Sequence, residues 1–112
     1  MEVTRGDLVT IALSGDYDNP RPALVVQDDA FDALTSVTVL RLTSELHDWP
    51  LFRITIEAAR GTGLQRRSQV MIDKAATVPR SRIGRRIGRR IGRLDGGTMR
   101  AVGALAKFLG LD

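Results

Sequence analysis

Short apolar runs rich in β-branched residues alternate with polar segments along most of the chain. Residues 52–56, Phe52-Arg53-Ile54-Thr55-Ile56, alternate apolar and polar side chains with a period of two, which is typical of a half-buried strand. The pattern as a whole predicts strands at residues 8–13, 23–27, 36–43, 52–56 and 69–78. Several short strands with turns between them favour a small barrel or sandwich, with the first two strands paired antiparallel.

The pattern changes at two places. Residues 28–34 are acidic and irregular and favour a single helical turn. Near the C-terminus apolar side chains recur at spacings of three and four, which predicts an amphipathic helix carrying Met99, Val102, Leu105, Ala106 and Leu109. Asp95 is the candidate N-cap and Gly110 the candidate C′ residue of this helix. The chain is therefore predicted to be mostly β with one C-terminal helix.

A tandem repeat occupies residues 83–94, as Ile-Gly-Arg-Arg, Ile-Gly-Arg-Arg and Ile-Gly-Arg-Leu. A period of four keeps the isoleucines on one face of either a helix or a strand. Each glycine costs a helix about 1 kcal/mol relative to alanine, so three glycines favour strand and turn. Such units also arise by slippage in a coding sequence, without any function.

Composition limits the classes of function. The 112 residues suffice for one domain, 1–112, and 43% apolar with 27% charged residues is ordinary for a soluble globular protein. No apolar run is long enough for a membrane helix, and the first residues lack the apolar segment of a secretory signal. There is no cysteine and only one histidine, His47, which excludes disulfides, thiolate metal sites and histidine-pair chemistry.

The net charge of +4 is unevenly distributed. Seven arginines fall within residues 80–93, and without them ten basic residues face 13 acidic ones, a remainder of −3. A local arginine cluster is typical of a nucleic-acid footprint. A solvated, charged face is an equally good interpretation of the cluster by itself.

Arg21 lies between Pro20 and Pro22, where a polar loop meets the second predicted strand. A loop residue held by a rigid strand is a common way to present a charge at a surface. The planar guanidinium of an arginine matches the oxygens of a phosphate. On this stretch alone, a surface arginine at the start of a strand is the simpler interpretation.

Segments spread over nearly the whole chain resemble the MazF/PemK family of toxin endoribonucleases. None of these segments is specific alone, but their order and spacing together match the family. The matching segments are Arg5-Gly6-Asp7-Leu8-Val9, Arg21-Pro22-Ala23-Leu24-Val25-Val26, Leu42-Thr43-Ser44, Ser68-Gln69-Val70-Met71, Ile91-Gly92-Arg93-Leu94-Asp95 and Ala104-Leu105-Ala106-Lys107-Phe108-Leu109-Gly110-Leu111.

The resemblance implies an α+β, mainly β fold: a small SH3-like antiparallel barrel with a C-terminal α-helix, usually a homodimer. It implies a cytoplasmic toxin that cleaves single-stranded mRNA without a metal or other cofactor and is neutralised by a cognate MazE-like antitoxin. The ribose 2′-hydroxyl attacks the adjacent phosphorus, leaving a 2′,3′-cyclic phosphate and a 5′-hydroxyl end. Because the substrate supplies the nucleophile, the lack of cysteine and of paired histidines is no obstacle.

The resemblance also assigns residues. The family's catalytic arginine matches Arg21 and its catalytic threonine matches Thr43, where a hydroxyl that satisfies the turn backbone is the alternative. Supporting or RNA-binding roles are expected for Ser44, Asp16, Tyr17, Asn19, Gln69, Arg85 and Arg86. Trp49 is a further candidate for base stacking, although a lone tryptophan is more often a core or dimer contact.

Two departures from the family pattern stand out. The loop at residues 16–20 is shorter than in well-known members and lacks their glycine-rich run, and the repeat carries one extra Ile-Gly-Arg-Arg unit. Four added residues preserve the alternation of side chains along a strand. Two other classes of function remain open: a non-catalytic RNA- or DNA-binding barrel that relies on its arginine cluster, and a CcdB-like gyrase poison with the same fold.

Overall fold

One antiparallel sheet and a C-terminal helix make up the computed structural model, which describes residues 3–12, 20–58, 63–88 and 97–111. In these ranges short 3₁₀ turns lie at Asp29–Phe31, in the acidic segment predicted to form a helical turn, and at Arg80–Arg82. The regular elements are β1 Leu8–Ile11, β2 Arg21–Val25, β3 Ser36–Thr43, β4 Arg53–Ile56, β5 Ser68–Pro79, β6 Ile83–Gly88 and α1 Gly97–Phe108.

The strands follow the order β4-β5-β3-β2-β1-β6, and every neighbouring pair is antiparallel. The mainly β architecture with a C-terminal helix is thus confirmed, as is the pairing of the first two strands. The predicted barrel is an open sheet, because β4 and β6 are its two edges in the described part of the chain. The one described α-helix is too short to cross a membrane.

β2 begins two residues earlier than the sequence predicts. Arg21 pairs with Ile11 and Pro22 with Thr10, so the ladder with β1 extends through the proline. The pairing of β2 with β3 starts only at Ala23. Pro22 therefore precedes the residues that pair on that side, which is where a strand tolerates a missing N–H.

β5 contains a large bulge. Leu40 of β3 lies opposite Ala75, whereas Leu42 lies opposite Val70, so four residues of β5 face the single residue Arg41. The bulge separates β5 into two parts: its first residues also pair with β4, and its later residues pair with β3 alone. Bulges of this kind bend a strand and often occur next to functional sites.

Alternating side chains build a core on each face of the sheet. One cluster gathers Leu8, Leu24, Leu40, Leu42, Ile56, Val70, Ile72 and Ala101. The other gathers Val9, Ile11, Ala23, Val25, Val37, Val39, Val78 and Ile83. α1 covers the first cluster, against β4 and β5.

The inward face of α1 differs from the predicted stripe. Ala101 is fully buried and Leu105 is half-buried, but Met99 and Leu109 are exposed. The apolar stripe continues beyond the part of the helix that meets the sheet. Gly110 takes a positive φ of 77° and Leu111 N–H donates to Ala106 O at 2.8 Å, a Schellman ending that confirms the predicted C′ glycine. The predicted N-cap Asp95 lies outside the described residues.

Candidate active site

A cavity of about 450 Å³ opens at the end of the sheet where β2 begins and β3 ends. Its polar lining comes from three regions: β1, the β2–β3 pair, and the connection that leads into β5. The polar residues that matter for its chemistry are Thr10, Arg21, Thr43, Ser44, Arg66 and Ser68. The two residues predicted to be catalytic, and Ser44 beside them, therefore share one cavity.

Strand register explains why Arg21 and Thr43 meet. Ala23 of β2 lies opposite Arg41 of β3, and continuing that register by two residues brings Arg21 opposite Thr43. Thr43 in turn pairs with Gln69 of β5, and Gln69 pairs with Thr55 of β4. Residues directly opposite one another in a sheet project from the same face. A row of polar side chains thus crosses β3, β5 and β4, from Thr43 through Gln69 to Thr55, and the continued register places Arg21 of β2 beside its Thr43 end.

Arg21 is exposed at the mouth of the cavity. Pro22 restricts the backbone of the residue before it to extended conformations, which suits the first residue of a strand. β1 holds this position from one side through the Ile11–Arg21 pair. The guanidinium is therefore carried on a fixed backbone beside solvent, where an anionic group can reach it.

The Thr43 hydroxyl has a backbone partner. Its Oγ1 accepts a hydrogen bond from the Glu45 N–H at 3.1 Å, as the alternative interpretation of this residue expects. A hydroxyl that accepts one bond still has its own proton to donate. The turn bond therefore fixes the oxygen and is compatible with a donor role toward a group in the cavity.

Gln69 holds the loop after β3. The side chain is only 6% exposed; its Oε1 accepts from the His47 N–H at 3.0 Å, and its Nε2 donates to His47 O at 2.9 Å. Nε2 also lies 3.3 Å from the Thr55 Oγ1. The amide thus pairs with a loop backbone much as a strand would, and it lines a second cavity rather than the first. Trp49 lines that second cavity too.

The remaining candidates divide into two groups. Asp16, Tyr17 and Asn19 lie outside the described residues. Arg85 and Arg86 lie on β6, where the structure describes the course of the backbone only. In the described ranges, no three acidic or histidine side chains are grouped closely enough to hold a metal ion.

Sequence reasoning missed three of the six polar residues of the first cavity, Thr10, Arg66 and Ser68. Arg66 lies between the fourth and fifth predicted strands, and Thr10 lies within the first predicted strand. Arg66 shares one part of the signal that drew attention to Arg21, an arginine where a loop meets a strand, but no proline flanks it. Thr10 carries no such signal, because only its partner strands bring it to the cavity.

A known family model matches nearly the whole chain. The model of the PemK-like, MazF-like toxin of type II toxin–antitoxin systems matches residues 4–109, a range that includes both Arg21 and Thr43. The chain belongs to this PemK/MazF toxin family. A relative named Probable endoribonuclease MazF, from Mycolicibacterium smegmatis, is 52% identical over 86 residues, which are 72% of this chain and 79% of that protein.

Solved structures of the PemK/MazF family share the fold. The Mycobacterium tuberculosis toxin MazF-mt6 is 25% identical, with a TM-score of 0.74 over 95% of this chain and 98% of its own. A MazE–MazF crystal structure from Deinococcus radiodurans is 22% identical, with a TM-score of 0.78 over 100% of this chain and 99% of the other. A mycobacterial endoribonuclease in complex with its cognate antitoxin is 23% identical, with a TM-score of 0.73, and the match covers 97% and 96% of the two chains.

Proposed function

We propose that this MazF-like endoribonuclease toxin cleaves single-stranded mRNA at the Arg21 cavity without a metal ion. The 2′-oxygen of the ribose attacks the adjacent phosphorus while the bond from phosphorus to the 5′-oxygen breaks. The products are a 2′,3′-cyclic phosphate and a 5′-hydroxyl end, and the proton lost from the 2′-oxygen is balanced by the one gained at the 5′-oxygen. The observation that carries the proposal is the shared cavity of Arg21 and Thr43.

Arg21 stabilises the phosphate as negative charge grows on its non-bridging oxygens. A guanidinium offers two parallel donors to a pair of phosphate oxygens. Because Arg21 stands on a strand paired with β1, its backbone is already fixed at the cavity when the charge develops. A guanidinium is a poor base, so charge stabilisation rather than proton removal is its assigned role.

Thr43 donates a hydrogen bond from its hydroxyl to the same phosphate or to the leaving 5′-oxygen. Its oxygen is already oriented by the Glu45 N–H, so the donor is held before substrate arrives. Ser44 and Arg66 line the same cavity and assist in binding the phosphate. An arginine on each side of the cavity suits a polyanionic substrate.

The same positive site suits a neutralising partner. We assign the antitoxin an acidic, partly disordered segment that occupies the cavity in place of RNA. Two of the similar structures contain an antitoxin by their names, and at 22% and 23% identity they support the shared fold alone. A homodimer acting on messages in the cytoplasm completes the proposal.

The test is cleavage of a mixed-sequence single-stranded RNA in EDTA, with the product ends identified. The parent should cleave and leave cyclic-phosphate and 5′-hydroxyl ends. Arg21→Lys, which keeps the charge but loses the fork, and Arg21→Ala should each lose about 100-fold or more in rate while their thermal unfolding is unchanged. Arg100→Ala removes an exposed arginine of α1 as the matched control and should cleave normally.

Three outcomes contradict the proposal. Cleavage that stops in EDTA would replace it with a metal-dependent reaction. RNA binding without cleavage by a correctly folded parent would make the chain a binding module. Undiminished cleavage by both Arg21 variants would remove Arg21 from the reaction.

A further inference from the structure

A second cavity of about 410 Å³ lies beside the first, under the loop that joins β3 to β4. Its walls include His47 and Trp49 of the loop, Arg53 and Thr55 of β4, and Gln69 of β5. Volumes of this order are usual for sites that bind small rings. Neither the proposed chemistry nor the predicted catalytic pair uses it.

Two aromatic rings, those of His47 and Trp49, stack face to face in this cavity and form what we call the His47–Trp49 platform. The rings of His47 and Trp49 stack with centroids 3.8 Å apart and planes inclined by 2°. Trp49 is nevertheless 42% exposed, so the stack is accessible to solvent. Phe52 supports Trp49, with ring centroids 5.3 Å apart. Exposed aromatic side chains of this kind are the usual partners of unpaired nucleobases.

The platform is held in place before any ligand binds. Both the N–H and the carbonyl of His47 are bonded to the buried Gln69 amide. β5 therefore fixes the loop residue that carries half of the stack. A preorganised ring pair loses little conformational entropy on binding, which favours its use as a binding site.

The guanidinium of Arg53 also lies against the aromatic stack and can contact an aromatic ligand. The guanidinium carbon of Arg53 lies 5.0 Å from the centroid of the Trp49 ring, a cation–π distance. Its buried Nε has no hydrogen-bond partner among the described residues, and its Nη1 makes only a long bond of 3.4 Å to Glu45 O. Arg67 also lines the cavity but is bonded to Glu57 at 2.9 Å.

The two cavities share one cross-strand pair. Thr43 lines the first cavity, Gln69 lines the second, and these residues lie opposite each other on adjacent strands. Adjacent strands are about 4.8 Å apart. Stacked nucleotides advance about 3.4 Å along a strand. Arg21 on β2 and Gln69 on β5 are two strand spacings apart, about 10 Å, so a phosphate at Arg21 leaves a base about three stacked nucleotides away within reach of the platform.

We propose that the His47–Trp49 platform binds an unpaired base of the RNA strand flanking the scissile phosphate. The proposal rests on the proposed function, since it takes RNA as the ligand. A base suits the site better than an acidic peptide does, because the walls are flat rings, Arg67 is already paired with a carboxylate, and Asp48 adds negative charge. Base selection at this platform would contribute to the sequence preference of cleavage.

Trp49 is the only tryptophan of the chain, so its fluorescence reports on this cavity alone. We would titrate the full chain with a short mixed-sequence 2′-O-methyl RNA, which lacks the attacking hydroxyl and stays intact. We expect saturable quenching of the fluorescence. Anisotropy of a dye-labelled copy of the same RNA should show about 10-fold weaker binding to Trp49→Ala, and a smaller loss for Trp49→Phe, which keeps a flat ring.

Phe31→Ala is the matched control, because Phe31 is an exposed aromatic residue at the opposite end of the β2–β3 hairpin. Its RNA affinity should equal that of the parent. RNA binding with no change in Trp49 fluorescence, or with full affinity in folded Trp49→Ala, would overturn the platform and leave the nuclease proposal intact. Quenching by an acidic peptide but not by RNA would assign the platform to a protein partner. A folded parent that neither binds nor cleaves RNA would instead end the proposed function.

Discussion

Thr43 on β3 lies directly opposite Gln69 on β5, and this single pair joins the two cavities. The threonine oxygen is fixed by the turn that follows it, and the glutamine amide is fixed by the loop that this turn begins. The same short segment of backbone, residues 44–47, therefore sets the position of the proposed donor and of the aromatic platform.

Substitutions at Thr43 distinguish a catalytic role of its hydroxyl from a structural role. Thr43→Val keeps the shape but removes the donor, so we expect cleavage to slow by about 100- to 1,000-fold. It also removes the acceptor for the Glu45 N–H, at a cost of about 0.5–1.5 kcal/mol in the free energy of unfolding. Thr43→Ser keeps the hydroxyl and should remain active. Single-turnover cleavage and urea unfolding measure the two effects, and a fully active Thr43→Val would reduce Thr43 to a turn residue.

Gln69→Leu should release the loop. It leaves the N–H and carbonyl of His47 without their partner, so we expect a loss of about 1–3 kcal/mol in the free energy of unfolding together with weaker RNA binding. Urea unfolding and RNA anisotropy are the measurements.

The matched control for Gln69 is Gln27→Leu. Gln27 makes the same kind of bonds, accepting from Thr38 N–H at 3.2 Å and donating to Phe31 O at 3.1 Å, at the far end of the β2–β3 hairpin. Its loss should lower stability and leave RNA affinity unchanged. Equal effects of the two variants on RNA affinity would show that general destabilisation, not the loop, is responsible.

Gly84 is required by a close contact rather than by its backbone freedom. A Cβ atom at this position would lie 2.6 Å from the Oγ1 of Thr10, a residue of β1 that lines the cavity of the candidate active site. We expect Gly84→Ala to cost about 1–3 kcal/mol of the free energy of unfolding, as overpacking does. Urea unfolding of Gly84→Ala, alone and combined with Thr10→Ala, measures this cost.

Two comparisons make the Gly84 result specific. Gly103→Ala, inside α1 with no atom within 4 Å of the new Cβ, should stabilise the protein by about 1 kcal/mol. In a Thr10→Ala background the cost of Gly84→Ala should largely disappear, because the clashing oxygen is gone. A cost that persists in this background would locate the clash elsewhere.

The arginines of the repeat should act through charge. If Arg85 and Arg86 each contact a phosphate, the double alanine variant should reduce the slope of log affinity against log salt by about 1.4. Cleavage at low salt should change much less than in the Arg21 variants. Lys74→Ala/Arg100→Ala removes the same charge from two exposed positions and serves as control. An unchanged slope in the repeat variant would separate the repeat from RNA binding.

Local periodicity explains why the bounds of some strands were predicted closely from the sequence. The alternation in residues 36–43 predicts β3 to the residue, and β5 differs from its prediction by one residue at each end. The start of β2 was missed because Arg21 and Pro22 have loop-like composition, and only their pairing with β1 makes them strand. Which turns of the helix meet the sheet also depends on the sheet, so the exposure of Met99 was not predictable from spacing.

The candidate site, like the fold, was predicted from the sequence only in part. Arg21 and Thr43 were identified by resemblance to a family, and strand register explains their proximity. The second cavity depends on Gln69 reaching His47 across 22 positions of sequence. No local pattern carries such a contact. Trp49 suggested base stacking from the sequence. Its stack with His47, and the link of that stack through Gln69 to Thr43, could be identified only from the folded structure.

Hydrogen bonds from the residues just before it hold the start of the edge strand β6. Arg82 O accepts from the Ala12 N–H at 2.9 Å, and the Arg80 side chain donates to the carbonyls of Asp32 and Leu34 at 2.7 Å each. Further along, the pairing of β6 with β1 shifts register twice. The first unit of the repeat is thus anchored by what precedes it.

A chain that gains or loses one four-residue unit after Arg82 would still have an Ile-Gly pair at positions 83 and 84. Because four is an even number, the alternation of side chains along a strand would also be preserved. What changes is the number of arginines, by two for each unit. If the arginines of the repeat bind RNA as proposed, a change in the number of units would raise or lower this attraction in equal increments of charge.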